Sequence, residues 1–347
     1  MLFLRITNEK HIVIYRLSAM GDVAMLAQAV RNAIESNPDI RITLVTRPLF
    51  HPFFGEHDRL NFFPLDLNGR HKGFTGLLKL ANDIKALKPA IFIDEHDVLR
   101  SKIVRSSLKL SGVKTVVFNK GRNEKSAMLM GQTEFKQLTH SIDRYNAAIK
   151  LAGLKTSDDF QFILTTSSHE FKTGSKKKTI GFAPFAAHDS KEWGDENVKA
   201  FLNLIEKEES YEVLLFGGGK TEEKKLKALT FDFSCCRSVA GQYSLEEELA
   251  IMQSCDVFLA MDSSNMHLAD LVGCKVISIW IATHPYFGFF AWNNKANCIV
   301  RSPQEYKHIP LSIYGKLNSE NEMTKVEEIR KMIPPEKVLE KVNLLLD

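Results

Sequence analysis

Short apolar runs, each followed by a stretch with apolar residues three or four apart, recur along most of this chain. In the first half, HIVIYRL from His11 precedes a helical pattern over residues 22–36, and RITLVT (41–46) precedes LNFFPL (60–65). A helical pattern over 74–87 then leads into AIFID (90–94), a basic helix over 98–110, the run TVVF and a helix over 141–152. Strand-like runs alternating with helical periodicity predict crossover connections, hence a parallel, doubly wound α/β sheet.

The rhythm is lost between residues 154 and 178, which are rich in Ser, Thr and Lys, although FQFIL (160–164) reads as an edge strand. It restarts with TIGFAPF (179–185), a helix over 195–207, YEVLLFGGG (211–219) and helices over 221–229 and 245–254. DVFLA (256–260), a helix over 265–272 and KVISIW (275–280) follow, so the second half predicts another Rossmann-like domain. The organisation expected is a first domain over 1–155, a linker over 156–178, a second domain over 179–322, and two C-terminal helices over 323–347. The apolar face of the last helix, Val338, Val342 and Leu345, needs a cover, and the first domain is the surface expected to supply it.

A hydrophobic content of 44% over 347 residues allows two cores of ordinary size. No apolar run approaches the ~20 residues of a membrane span, and the N-terminal apolar stretch before Arg5 is too short for a signal-peptide core. A cytoplasmic protein is expected. Five cysteines with no CxxC pair argue against a disulfide framework or zinc site. The net charge of +4 hides an asymmetry: residues 1–172 carry 25 Lys and Arg against 17 Asp and Glu, and the remainder carries 21 against 25. A basic first half suits an anionic partner, or is solvated surface. Nucleic acid is disfavoured, because the basic positions lack interleaved aromatics and no recognised module is present.

Chemistry concentrates in two loops that each follow a buried strand and open a helix: RLSAMGDV (16–23) and MDSSNMHLA (261–269). Such a junction turns free backbone N–H groups toward a ligand at the carboxyl end of a parallel sheet. LFGGGKTEEKK (215–225) has glycines for close backbone approach but lacks the spacing of a dinucleotide fingerprint or a P-loop.

These loops, with DEHDVLRS (94–101), HSIDRY (140–145), GFAPFA, KEW (191–193), LLFGGG and IWIATHPY (279–286), occur in an order that resembles the lipopolysaccharide heptosyltransferases, glycosyltransferase family 9. The resemblance implies a GT-B fold, with two Rossmann-like domains facing across a cleft. It also implies an inverting transfer of heptose from ADP-heptose to an acidic lipopolysaccharide-core, lipid A-linked acceptor. No cofactor or metal is expected beyond the nucleotide sugar, and membrane contact is expected to be peripheral, at the cytoplasmic face of the inner membrane. Asp22 becomes the general base, although a first-turn acid also simply favours its helix N-terminus. Lys191 becomes the cation that meets the departing diphosphate.

Donor contacts are expected from Ser263, Ser264, Asn265, Met266 and His267 at the helix start, from Thr283 and His284, and from Glu222 or its neighbour Glu223 on the ribose. Asp262 is expected to orient its loop or a sugar hydroxyl. Acceptor contacts are expected from Ser18, Gly21, Arg100, Lys102 and Arg122, all placed on the first domain. Two positions depart from the family pattern: Ser264, and Ile281 where the family has Gly. A β-branched side chain there is expected to fill space near the nucleotide. The alternatives are a transferase for another nucleotide sugar, and a non-catalytic homologue that binds a nucleotide sugar or glycan.

Overall fold

The computed structural model describes residues 9–166, 177–317 and 319–347. The chain forms two compact units: one comprises the sequence up to Lys120 together with Ser141–Phe162, the other Gly121–His140 and Ile163–Asp347.

Unit 1 runs β1 (Lys10–Tyr15), α1 (Met20–Ser36), β2 (Ile40–Val45), β3 (Leu60–Phe62), α2 (Gly73–Ala86), β4 (Ile91–Asp94), α3 (Leu99–Leu110) and β5 (Lys114–Val117). The chain departs for α4 (Arg122–Leu129), which belongs to unit 2, and returns with α5 (Ser141–Leu151). The sheet order is β3-β2-β1-β4-β5, and every pairing is parallel. β1 and β4 are buried on both faces, which is why they read as unbroken apolar runs. They are also neighbours across the switch point, with Tyr15 in register with Asp94. The segments that follow them, Arg16 onward and Glu95 onward, therefore emerge side by side at the carboxyl edge, where open α/β sheets bind ligands.

Unit 2 continues with β6 (Lys178–Ala183), α6 (Asp195–Glu208), β7 (Tyr211–Leu215), α7 (Gly219–Asp232), β8 (Cys236–Ser238), α8 (Leu245–Gln253), β9 (Val257–Met261) and α9 (Ser264–Leu271). It closes with β10 (Val276–Ile279), β11 (Cys298–Ile299), α10 (Glu320–Lys331) and α11 (Pro335–Leu346). Its sheet, again all parallel, is ordered β11-β10-β9-β6-β7-β8. The adjacent strands β10, β9, β6 and β7 thus deliver four consecutive loops to one edge.

One expectation is corrected. FQFIL is not a strand: Phe162 satisfies its backbone by exchanging two hydrogen bonds with the Gln28 side chain, its N–H donating to Oε1 at 2.8 Å and its carbonyl accepting from Nε2 at 2.5 Å. The polar stretch after Lys120 holds α4, placed in unit 2 with Lys125 under the Phe289 ring at 4.0 Å. α11 packs on α6, and Val338, Leu339 and Val342 join the core of unit 2 with Phe182, Trp193 and Phe201.

Burial lowers three histidines far below their usual value, His96 and His284 to about 4 and His140 to about 3. Each is neutral in the folded chain and titrates near 6.5 once unfolded, so its contribution is intact above pH 6.5 and is lost as pH falls toward 4. The loss is about 1.4 kcal/mol per group for each pH unit within that window. Thermal unfolding is expected to shift to lower temperature steadily between pH 7 and pH 5. A melting temperature that stays level over this range would contradict the burial of these rings.

Candidate active site

In unit 1 the loop after β1 grips a carboxylate. Arg16, with its side chain 5% exposed, places Nη2 2.6 Å from Oδ2 of Asp22, whose side chain is 32% exposed. The Arg16 guanidinium also donates to the Glu95 carbonyl and lies 5.4 and 5.6 Å from the ring centres of Tyr145 and Phe118. Burial works against its charge, but Asp22, with Tyr145 and Glu95, more than offsets this and holds it more firmly protonated than usual. The Tyr145 hydroxyl approaches Asp22 Oδ1 at 3.5 Å. Asp22 is the third residue of α1, so the helix N-terminus favours its ionised form as well. The result is a partly exposed carboxylate held by Arg16 and approached by the Tyr145 hydroxyl.

Behind this pair lies a buried polar floor. Burial drives the Glu95 carboxyl well above its usual range, against the pull of Arg16. Both its oxygens, and Tyr15 Oη, Arg16 Nε and His96 Nδ1, have no hydrogen-bond partner among the described residues. On the other ring nitrogen, His96 Nε2 is 3.2 Å from Ser18 Oγ, which ties the two strand ends together.

In unit 2 the loops after β6, β9 and β10 meet. Lys191, 15% exposed and ending a short 3-10 turn over Asp189–Lys191, places Nζ 2.8 Å from Asp262 Oδ2 and 3.3 Å from the Asp262 carbonyl. Thr283 donates its hydroxyl to the same carboxylate oxygen at 2.8 Å. Next to Asp262, Ser263 is the N-cap of α9, and its buried hydroxyl has no hydrogen-bond partner among the described residues. The first N–H groups of a helix have no intrahelical acceptors, so Ser264, Asn265 and Met266 present theirs at this point. An ammonium, an orphaned hydroxyl and a helix N-terminus are thus gathered on neighbouring strand ends. After β7, a hollow of about 270 Å³ is lined by Phe185, Glu192, Gly218, Lys220, Glu222 and Lys225 among others. Glu222 accepts the Gly218 N–H at 2.8 Å.

The structure brings several of the residues singled out in the sequence together and leaves others apart. Lys191, Asp262 and Thr283 form one cluster, while the fully buried side chain of Met266 leaves only its backbone to offer. Between the two glutamates, Glu222 faces the hollow and Glu223 lies against Gly241. His284 is buried, and its Nδ1 accepts the Tyr286 N–H at 3.1 Å to start the Pro285–Phe287 turn. His267 is buried on α9. Ser18 and Gly21 flank Asp22, and Arg100 and Lys102 are exposed on α3. Arg122, expected on the first domain, lies on α4, which is part of unit 2. Ile281 is fully buried in the unit 2 core, and its backbone is not among those with positive φ.

Sequence reasoning missed Arg16 and Tyr145 as the partners of Asp22. Arg16 stood inside the first loop motif, six residues before the acid. Tyr145 stood inside HSIDRY, more than 120 residues after the acid.

Paired Rossmann-like domains of this kind, each with its functional loops at the carboxyl edge of a parallel sheet, are the GT-B architecture, and the protein is of the glycosyltransferase class. It belongs to glycosyltransferase family 9, the heptosyltransferases, whose sequence model matches residues 92–313. The chain is 21% identical over 322 residues to the lipopolysaccharide core heptosyltransferase OpsX of Haemophilus influenzae, covering 90% of this chain and 89% of that protein. Its fold matches that of a glycosyltransferase family 9 protein from Veillonella parvula with a TM-score of 0.71, at 18% identity and 97% coverage of both chains. It matches the ADP-heptose lipopolysaccharide heptosyltransferase II of E. coli with a TM-score of 0.66, at 20% identity, covering 97% of this chain and 98% of that one. No helix of the described residues is long and apolar enough to cross a membrane, and no cluster of three His, Cys, Asp or Glu side chains suited to a metal is found among them.

Proposed function

We propose that the protein transfers a heptose from ADP-heptose to an acidic acceptor of the lipopolysaccharide core. The observation that carries this reading is the Lys191–Asp262–Thr283 cluster at the N-terminus of α9, in a chain of the heptosyltransferase family. An ammonium and a row of backbone N–H groups suit a diphosphate, and the neighbouring hollow bordered by Glu222 suits the nucleoside. ADP is the nucleotide expected, in keeping with the donor of the E. coli relative.

In the reaction, Asp22 takes the proton of the acceptor hydroxyl as that oxygen bonds to the anomeric carbon. The bond from this carbon to the diphosphate oxygen breaks, and its electron pair leaves with ADP. Attack opposite the leaving group inverts the anomeric centre. Lys191 and the α9 N–H groups stabilise the charge that develops on the diphosphate. Arg16 holds Asp22 in orientation between turnovers. Arg100 and Lys102 offer cations to an acidic acceptor, with Ser18 and Gly21 lining the same loop edge. Exposed Leu99 and Leu110 sit on α3 with Lys102 and Lys109, a composition suited to peripheral contact with an anionic bilayer at the cytoplasmic face of the inner membrane.

Calorimetry with ADP, UDP, GDP and CDP tests the donor. Selective binding of ADP is expected, followed by sugar transfer when ADP-heptose and a lipopolysaccharide-core acceptor are supplied together. Binding of UDP or GDP in its place would move the protein to another nucleotide sugar, and failure to bind any of the four would remove the reading.

A further inference from the structure

Lys191 stands on a three-residue turn, and an ammonium on a four-carbon stem is by itself a poorly aimed charge. What aims it comes from the C-terminal part of the chain. Arg330 on α10, only 8% exposed, donates from Nε to the Glu192 carbonyl at 2.9 Å and from Nη2 to the Asp189 carbonyl at 2.6 Å. The same Nη2 reaches Asp189 Oδ1 at 3.0 Å, while Nη1 meets Glu327 on its own helix at 2.5 Å. One planar guanidinium thus ties the carbonyls on both sides of Lys191. The attachment is reinforced by Asn197, which donates to the Arg330 carbonyl at 3.0 Å, and by the Trp193 indole, which donates to the Ile333 carbonyl at 2.9 Å.

A second hold comes from the loop before α10. Ser190 donates its hydroxyl to the Gly315 carbonyl, and the Gly315 N–H donates to Ser312 Oγ at 3.0 Å. The Ser190 and Ser312 backbones both bond to Ala282, beside Thr283. Gly315 has φ +90°, and a Cβ added there would sit 2.7 Å from Cε and 2.8 Å from Cγ of Lys191. The lysine stem therefore rests on bare backbone, in a space that any other residue would occupy.

We infer that Arg330 and Gly315 are positioning residues for Lys191: the guanidinium fixes its turn and the glycine admits its stem, so that the ammonium is already aimed at the donor diphosphate. The inference rests on the proposed role of Lys191. A charge held in place before binding spends no rotamer freedom when the ligand arrives, and this is the gain the two residues supply.

The test is a double-mutant cycle on the full chain, with ADP affinity measured by calorimetry for wild type, Lys191→Ala, Arg330→Lys, Gly315→Ala and each combined with Lys191→Ala. Arg330→Lys keeps the charge but loses the fork, and Gly315→Ala pushes on the stem. Each is expected to weaken ADP binding at least about fivefold in the wild-type background and less than about twofold once Lys191 is gone. Thermal unfolding identifies a variant that fails to fold, in which case Ser312→Ala, which removes one acceptor from the same loop, takes its place. Losses that persist undiminished without Lys191 would overturn the inference, as would Arg330→Lys and Gly315→Ala binding like wild type while Lys191→Ala does not. Should Lys191→Ala itself bind ADP normally, the donor role of Lys191 fails first and the inference falls with it.

Discussion

Asp22→Asn is expected to lower the transfer rate by about 10²–10⁴-fold, the range a positioned general base contributes, while ADP affinity stays within about twofold of wild type. The separation follows from the fold: Asp22 belongs to unit 1, and the proposed donor site, with Lys191 and Asp262, lies in unit 2. Asparagine keeps the size of the side chain but leaves the buried Arg16 without its carboxylate, which costs stability of about 1–3 kcal/mol, short of a fully buried pair because Asp22 is partly exposed. Product formation, calorimetry and thermal unfolding should therefore be read together. A folded Asp22→Asn protein that transfers sugar at more than about a tenth of the wild-type rate would remove Asp22 from the role of base.

Lys191→Ala should weaken ADP binding by about tenfold or more and slow transfer by about 10²-fold. Part of that effect comes from what is left behind. Asp262 is nearly buried and shares its carboxylate between Lys191 and Thr283, so without the ammonium it confronts an incoming diphosphate as an uncompensated negative charge. Adding Asp262→Asn to Lys191→Ala is accordingly expected to restore part of the lost ADP affinity. No recovery in the double variant would mean that Asp262 faces away from the bound nucleotide, and that the lysine acts alone.

The strands and helices were legible because each is a local pattern. β1, β4, β6 and β9 are short apolar runs buried on both faces, and the helices between them carry the period of one buried stripe. The short edge strands β8 and β11, three and two residues long, and the mostly polar helix α4 escaped, since so few residues or so little apolar surface leave no period to read. At the candidate site, the loops were visible as motifs but their partnerships were not. Glu222 could be distinguished from Glu223 only by the direction each takes on α7, toward the hollow or toward Gly241.

By itself, the sequence determined two parallel-sheet domains, the strand-to-helix loops that carry Asp22 and Asp262, and the basic character of the first half, all properties of residues close together along the chain or of their sum. The tertiary structure alone decided which charges meet. Lys191, Asp262 and Thr283 are far apart in sequence and converge because β6, β9 and β10 are neighbours in one sheet. It also decided where the apolar face of α11 is buried, because an amphipathic stripe states that it needs a partner without naming it; here the partner is α6. The same holds for Ile281, whose direction into the core depends on how the chain leaves β10, and for Arg330, which acts on a turn nearly 140 residues before it.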